Sequence, residues 1–260
     1  TLGLLLTGAT QAEDINRAFL ALFQPLPEVM AAPGKEITDP KVDLGRMLYY
    51  DPRLSINGKI SCNSCHLLDK YGVDGLPTSP GHDGRRGDRN SPTVYNAALH
   101  VAQFWDGRSP DVEDQAKGPV LNPIEMGMPN AENAVEVLKS IPGYVAEFEK
   151  AFPDDGEPVT YDNFAKAVGA FERGLVTPSR WDQLLEGKEE ALTDAEKTGF
   201  NKFVSVGCAT CHMGPALGGM MYHKLGLVEP WPGLADEGRF KVTGVEADKF
   251  KFKVPGLRNV

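Results

Sequence analysis

Apolar residues recur at helical spacing through the middle of the chain. In "NAENAVEVLKSI", Val135, Leu138 and Ile141 stand three apart, and in "YDNFAKAVGAFERGL", Phe164, Val168, Phe171 and Leu175 fall at i, i+4, i+7 and i+11. Each series puts one apolar stripe on one helix face, so both stretches are predicted as amphipathic helices packed on a core. A third helix opens at Thr193, which forms a capping box with Glu196 and leads through Phe200 and Phe203 toward Cys208.

The stretch 72–130 has a different pattern. It is dense in Gly, Pro, Asn and Asp with few long periodic runs, so it reads as a long functional loop region. Its tryptophan and other aromatic residues argue against disorder. Strand signals are weak throughout, and the predicted fold class is mainly α. Pro178 in "TPSR" follows a helical run and marks a boundary at 177–180. The predicted units are therefore 14–176 and 177–260. Residues 1–13 form a preceding segment with an apolar run and small residues, which reads either as a secretory-signal remnant or as a frayed terminus.

Composition narrows the function classes. A chain of 260 residues with 41% hydrophobic and 24% charged residues can bury a core as one or two globular domains. A net charge of −9 makes nucleic acid an unsuitable partner, and no apolar run approaches the roughly 20 residues of a membrane span.

The four cysteines form two pairs, Cys62 with Cys65 and Cys208 with Cys211, in "CNSCH" and "CATCH". Two C-x-x-C pairs alone are compatible with disulfides, redox thiols or zinc. The histidine that follows each pair separates these readings. At this composition about 10⁻³ occurrences of C-x-x-C-H are expected by chance, and two are present. Cysteines one helical turn apart lie on one face, where both sulfurs reach the two vinyl groups of one porphyrin. The next residue then offers its imidazole to the iron. The pattern predicts two covalently attached c-type haems with proximal ligands His66 and His212, each wrapped by its own cytochrome c-like domain. Covalent haem attachment takes place outside the cytoplasm, which favours the secretory reading of the N-terminus.

The stretches "GVDGLPTSPGH", "GDRNSPTVYNAALHVAQFWDGR", "EDQAKGPVLNPIEMG", "GCATCHMGPALGG" and "VPGLRNV", in this order, resemble the bacterial di-haem cytochrome c peroxidases. The resemblance runs from about 36 to 260. It implies a periplasmic enzyme that reduces hydrogen peroxide with electrons from a small c-type cytochrome or a copper protein, and relatives that are often dimers. The haem at Cys62 and Cys65 would be the low-potential, peroxide-reducing centre, with His82 as a distal ligand that caps its iron in the oxidised enzyme. The haem at Cys208 and Cys211 would be the high-potential entry point for electrons. Trp105 matches the tryptophan between the haems, and Glu125, with Gln115 nearby, matches the active-site acid. Asn90 matches a calcium ligand, with the carbonyls of Lys253 and Pro255 as its partners. Arg85, Arg86 and Arg89 are either haem-propionate partners or exposed charges.

The family pattern is incomplete in one place. The second haem of the family takes a methionine located beyond the "P-x-L-R-N" segment, which here ends at Val260, so the expected ligand lies past the given sequence. Met213, Met220 and Met221 follow His212 too closely to cross the porphyrin, and His223 is a weak substitute. Two other readings compete with the peroxidase. A di-haem electron carrier has no use for an acid such as Glu125. A related di-haem enzyme that matures a tryptophan-derived quinone on another protein lacks the histidine cap that His82 would supply.

Overall fold

The computed structural model describes residues 14–259. The candidate secretory segment 1–13 lies outside them. The fold is mainly helical, and its helices begin where the sequence supplies caps. Helix α1 spans Asp39–Tyr50, and α2 is a single turn, Cys62–Cys65. Helix α3, Val112–Leu121, starts on the Asp111 side chain, and α4, Ala131–Lys139, starts on Asn130. Helix α5, Pro142–Ala151, has proline in its first turn, where no amide hydrogen is needed, and α6, Tyr161–Arg173, is capped by Thr160. Capping boxes open α7, Arg180–Leu185, and α8, Asp194–Ser205, the latter from Thr193 and Glu196 as expected. After the one-turn α9, Phe240–Thr243, the strand β2, Lys251–Lys253, pairs antiparallel with β1, Tyr222–Lys224, placing Tyr222 opposite Lys253.

Helix α6 lies at the centre of the first half, buried on most of its faces. Helix α1 crosses it so closely that a Cβ on Gly45 would come 1.9 Å from the Ala167 carbonyl oxygen, and only glycine permits that approach. Leu44, Leu48, Val120, Leu138, Phe148, Phe164 and Val168 form the main core between α1 and α3–α6. The predicted stripes face it: Leu138, Phe164 and Val168 are fully buried, with Val135 and Ile141 at the margin. A small adjoining cluster of Tyr49, Val94 and Phe171 reaches Cys62.

A separate apolar cluster holds α7 and α8 together through Leu184, Phe200 and Val204, with Phe203 and Trp181 against it. Ile15 and Phe23 complete this cluster, and the Gly214 amide donates to the Leu22 carbonyl at 2.9 Å. Residues 15–23, which chain order assigns to the first unit, thus pack with the second. The two halves meet along residues 89–109. There Arg89 pairs with Asp236, the Val101 amide donates to the Gly219 carbonyl, and the Lys253 amide donates to the Trp105 carbonyl. Among the described residues no helix is long and apolar enough to cross a membrane.

Candidate functional site

Ser61 and Ser64 cap the single turn of α2, so the backbone that presents Cys62 and Cys65 on one face is fixed from within. Neither sulfur is in a disulfide. Burial, with Glu172 nearby, pushes the Cys62 thiol up to about 12. His66 follows, and its Nδ1 lies 3.0 Å from the Pro92 carbonyl oxygen. A carbonyl can only accept, so Nδ1 carries the proton and the Nε2 lone pair is left for a metal. The Tyr49 hydroxyl donates to the His66 carbonyl at 2.6 Å, and burial holds the imidazole below the usual histidine range, in its metal-binding neutral form.

The second pair is built differently but reaches the same tautomer. Gly207, at φ +89°, turns the chain into a 3₁₀ turn over Cys208–Thr210. His212 Nδ1 then faces the Leu217 carbonyl at 3.2 Å, again leaving Nε2 free. Both sites therefore present two cysteines one turn apart and one imidazole with an open Nε2, a donor set that fits a thioether-linked haem.

Beside the first pair, the loop carrying His82 rests on the turn that follows α3. The His82 amide donates to the Glu125 carbonyl at 2.8 Å, and its Nε2 donates to the Pro123 carbonyl at 3.0 Å. Arg85 donates to that same carbonyl at 3.0 Å. The ring lies against Gly127, where a Cβ would come 2.6 Å from His82 Cδ2. In this conformation Nε2 is engaged by the Pro123 carbonyl. Glu125 is half-buried, and its Oε1 accepts from Asn122 Nδ2 at 2.9 Å. Burial raises its pKa above the usual carboxylate range, against the opposing pull of Arg108 and the Asn122 hydrogen bond. Gln115 is half-buried on α3, the helix whose C-cap is Asn122.

Trp105 stands between the two sites. Its indole N–H donates to the Asn90 carbonyl at 2.9 Å, two residues before the carbonyl that holds His66. Its own carbonyl accepts from the Lys253 amide at 2.8 Å, and the next residue, Val254, accepts from Gly219, two residues beyond the carbonyl that holds His212. Hydrogen bonds and short covalent steps therefore join His66 and His212 through Trp105.

Of the expected calcium ligands, Asn90 and Lys253 meet at Trp105. The strand directs the Lys253 N–H, and with it the Lys253 carbonyl, to that side. The Pro255 carbonyl instead lies against Gly218, where a Cβ would come within 2.1 Å. The arginines near His82 all have protein partners: Arg85 holds Asp83, Arg86 the Thr78 carbonyl, and Arg89 both Asp106 and Asp236. His223 is exposed on β1. Lys253 Nζ lies 2.7 Å from His100 Nδ1; burial, with no carboxylate offsetting it, pushes the lysine down to about 8 and His100 to about 3.

The family profile described as di-haem cytochrome c peroxidase matches residues 39–190. The chain belongs to this family. It is 44% identical to the cytochrome c551 peroxidase of Pseudomonas aeruginosa over 99% of this chain and 77% of that protein. Identity to the cytochrome c551 peroxidase of Nitrosomonas europaea is 47%, covering 89% of this chain and 72% of that one. The MauG methylamine utilization protein of Methylorubrum extorquens is more distant, at 34% over 97% of this chain and 72% of that protein. A solved MauG-like protein associated with microbial copper homeostasis superposes with TM-score 0.79 at 31% identity, covering 90% of this chain and 73% of that one. The family makes the chain an oxidoreductase of the peroxidase class with haem c as its cofactor.

Two features of this di-haem peroxidase site escape sequence reading. Asn122 holds Glu125 by side chain and backbone together, and only its place before Pro123, a turn-forming pair, marks it. The His100–Lys253 contact spans 153 residues and has no local signal.

Proposed function

We propose that this chain is a periplasmic peroxidase that reduces hydrogen peroxide to two waters. The two electrons arrive singly from a small c-type cytochrome or a copper protein. The observation that carries this reading is the connected path from His212 through Trp105 to His66, with an acid, Glu125, at one end of it. An electron carrier needs the path but not the acid.

Haem bound at His66 supplies the redox chemistry that splits the O–O bond. The protein supplies the proton traffic. Breaking that bond needs a proton moved from one peroxide oxygen to the departing one, and one carboxyl can take it and return it. Asn122 ties Oε1 of Glu125, which leaves Oε2 for that transfer. Burial lifts the carboxyl above its ordinary range and so helps it hold the proton between the two steps. Gln115, half-buried on the helix that leads to Asn122, would supply an uncharged hydrogen-bonding group. Trp105 and the segments hydrogen-bonded to it carry electrons from the entry side.

His82 acts as a gate. With Nε2 donated to Pro123, it would be held away from the iron of a haem bound at His66. Capping requires that bond to break, a net cost of about 1 kcal/mol, so metal ligation can readily reverse the preference. If the capped form held about 99% of the oxidised enzyme, apparent peroxide affinity would fall about 100-fold until activation. Calcium at Asn90 and the Lys253 carbonyl would stiffen the seam beside Trp105; oxygen donors from loops suit that ion.

Peroxide turnover by holoprotein, fully oxidised and then with one electron added per molecule, tests the reading. Rapid turnover only after the addition supports both peroxidase and gate. Equal turnover in both states keeps the peroxidase and removes the gate. No turnover in either state, with both irons six-coordinate, favours the electron carrier.

A further inference from the structure

Four cationic side chains are buried among the described residues: Lys41, Arg173, Lys253 and Arg258. Three have carboxylate partners. Lys41 pairs with Glu36, Arg173 with Glu113 and Arg258 with Asp182. Lys253, only 6% exposed, has none; its ammonium meets only His100 Nδ1, at 2.7 Å. Since Nδ1 accepts from the ammonium, the proton of the neutral imidazole is on Nε2. The pair thus holds unused donors and no anion. A buried charge is ordinarily paired, so this arrangement calls for an acidic partner that the described residues do not provide.

The location identifies the chemistry of that partner. The His100 ring is packed between the loop following His212 and the segment after β2: a Cβ on Gly219 would come 2.1 Å from His100 Cδ2, and one on Gly256 would come 3.2 Å from Nε2. That loop also supplies the Leu217 carbonyl that holds His212. A haem attached there brings two propionate carboxylates to the same neighbourhood. The arginines near His82 are already engaged by protein carboxylates and carbonyls.

We propose that Lys253 and His100 together bind a propionate of the haem attached at Cys208 and Cys211, a proposal that rests on the assignment of haem to that pair. Lys253 then joins two tasks. Its ammonium neutralises the propionate, and its amide holds the Trp105 carbonyl. A positive charge beside this haem favours the added electron, which keeps the second site the stronger electron acceptor of the two.

The test is a spectroelectrochemical titration of holoprotein carrying Lys253→Met, Lys253→Arg or neither, with the two haems resolved by their spectra. Lys253→Met is expected to weaken reduction of the second haem about tenfold, a drop of ~59 mV for one electron, with a smaller change at the first. Lys253→Arg, which keeps the charge, should recover most of that loss. An unchanged second potential in Lys253→Met, or a shift confined to the first haem, overturns the proposal. Should Lys253→Met fail to fold, resonance Raman of Lys253→Arg decides. A displaced propionate-bending band of the second haem supports the contact, and an unmoved band overturns it. Failure of the unaltered protein to load haem at Cys208 and Cys211 would instead remove the assignment beneath the proposal.

Discussion

The surroundings of His66 and of His212 solve the same problem by different means. His212 is oriented by Leu217, five residues further on, and its pair begins at the exposed Cys208. His66 is oriented by Pro92, 26 residues away, while Tyr49 of α1 holds its carbonyl. A site assembled locally keeps its geometry whatever happens elsewhere, which suits a fixed port for electrons. A site assembled from distant segments can be rearranged by moving one of them, which suits regulated chemistry.

The largest expected effect comes from removing the acid found only at the first site. Glu125→Gln should lower kcat/KM for peroxide by about 10²–10⁴-fold while both haem spectra persist. A loss below tenfold in steady-state turnover would mean that the two sites do not differ in this way. Next in size are the cores. Phe164→Ala and Phe200→Ala should each cost about 3–5 kcal/mol in denaturant unfolding, because both rings are buried in separate clusters. The first should disturb the haem spectrum at His66 and the second that at His212; identical spectral losses would show that the clusters do not unfold separately.

Smaller effects sharpen the first site. Tyr49→Phe removes the bond to the His66 carbonyl and should cost about 0.5–1.5 kcal/mol, read from the same unfolding curves. Glu172, buried near Cys62 and beside Glu113, is pushed up to about 8 from its ordinary 4.5. The folded protein therefore binds a proton there that the unfolded chain has released, so stability falls as pH rises from about 4.5 to about 8. Glu172→Gln should flatten that slope in unfolding midpoints measured across the window, and an unaltered slope would assign it to other groups.

Much of this organisation is legible in the chain because it is local. Two C-x-x-C-H motifs, the stripe of α6 and the Thr193 capping box are each fixed by residues a few positions apart. Helix α1 is not legible, because Lys41 and Gly45 occupy two of its five buried positions and break the apolar pattern. Gly45 is there for the crossing with α6, a need that only the partner helix reveals. Helix α3 is hidden by Gly118 and Pro119 near its end. The placement of Ile15 and Phe23 with α8, and the seam through Trp105, depend on contacts between residues far apart in sequence, for which periodicity carries no signal.

The claim that one site reacts and the other supplies it through Trp105 is tested most directly by rapid mixing. Holoprotein holding one electron, at the His212 haem, is mixed with a stoichiometric amount of peroxide while both haem spectra are followed. The account predicts that the His212 haem is oxidised in step with peroxide loss, and that Trp105→Gly slows its oxidation while peroxide binding at the His66 site is unchanged. Peroxide loss with the His212 haem still reduced, or equal rates in Trp105→Gly, would contradict it.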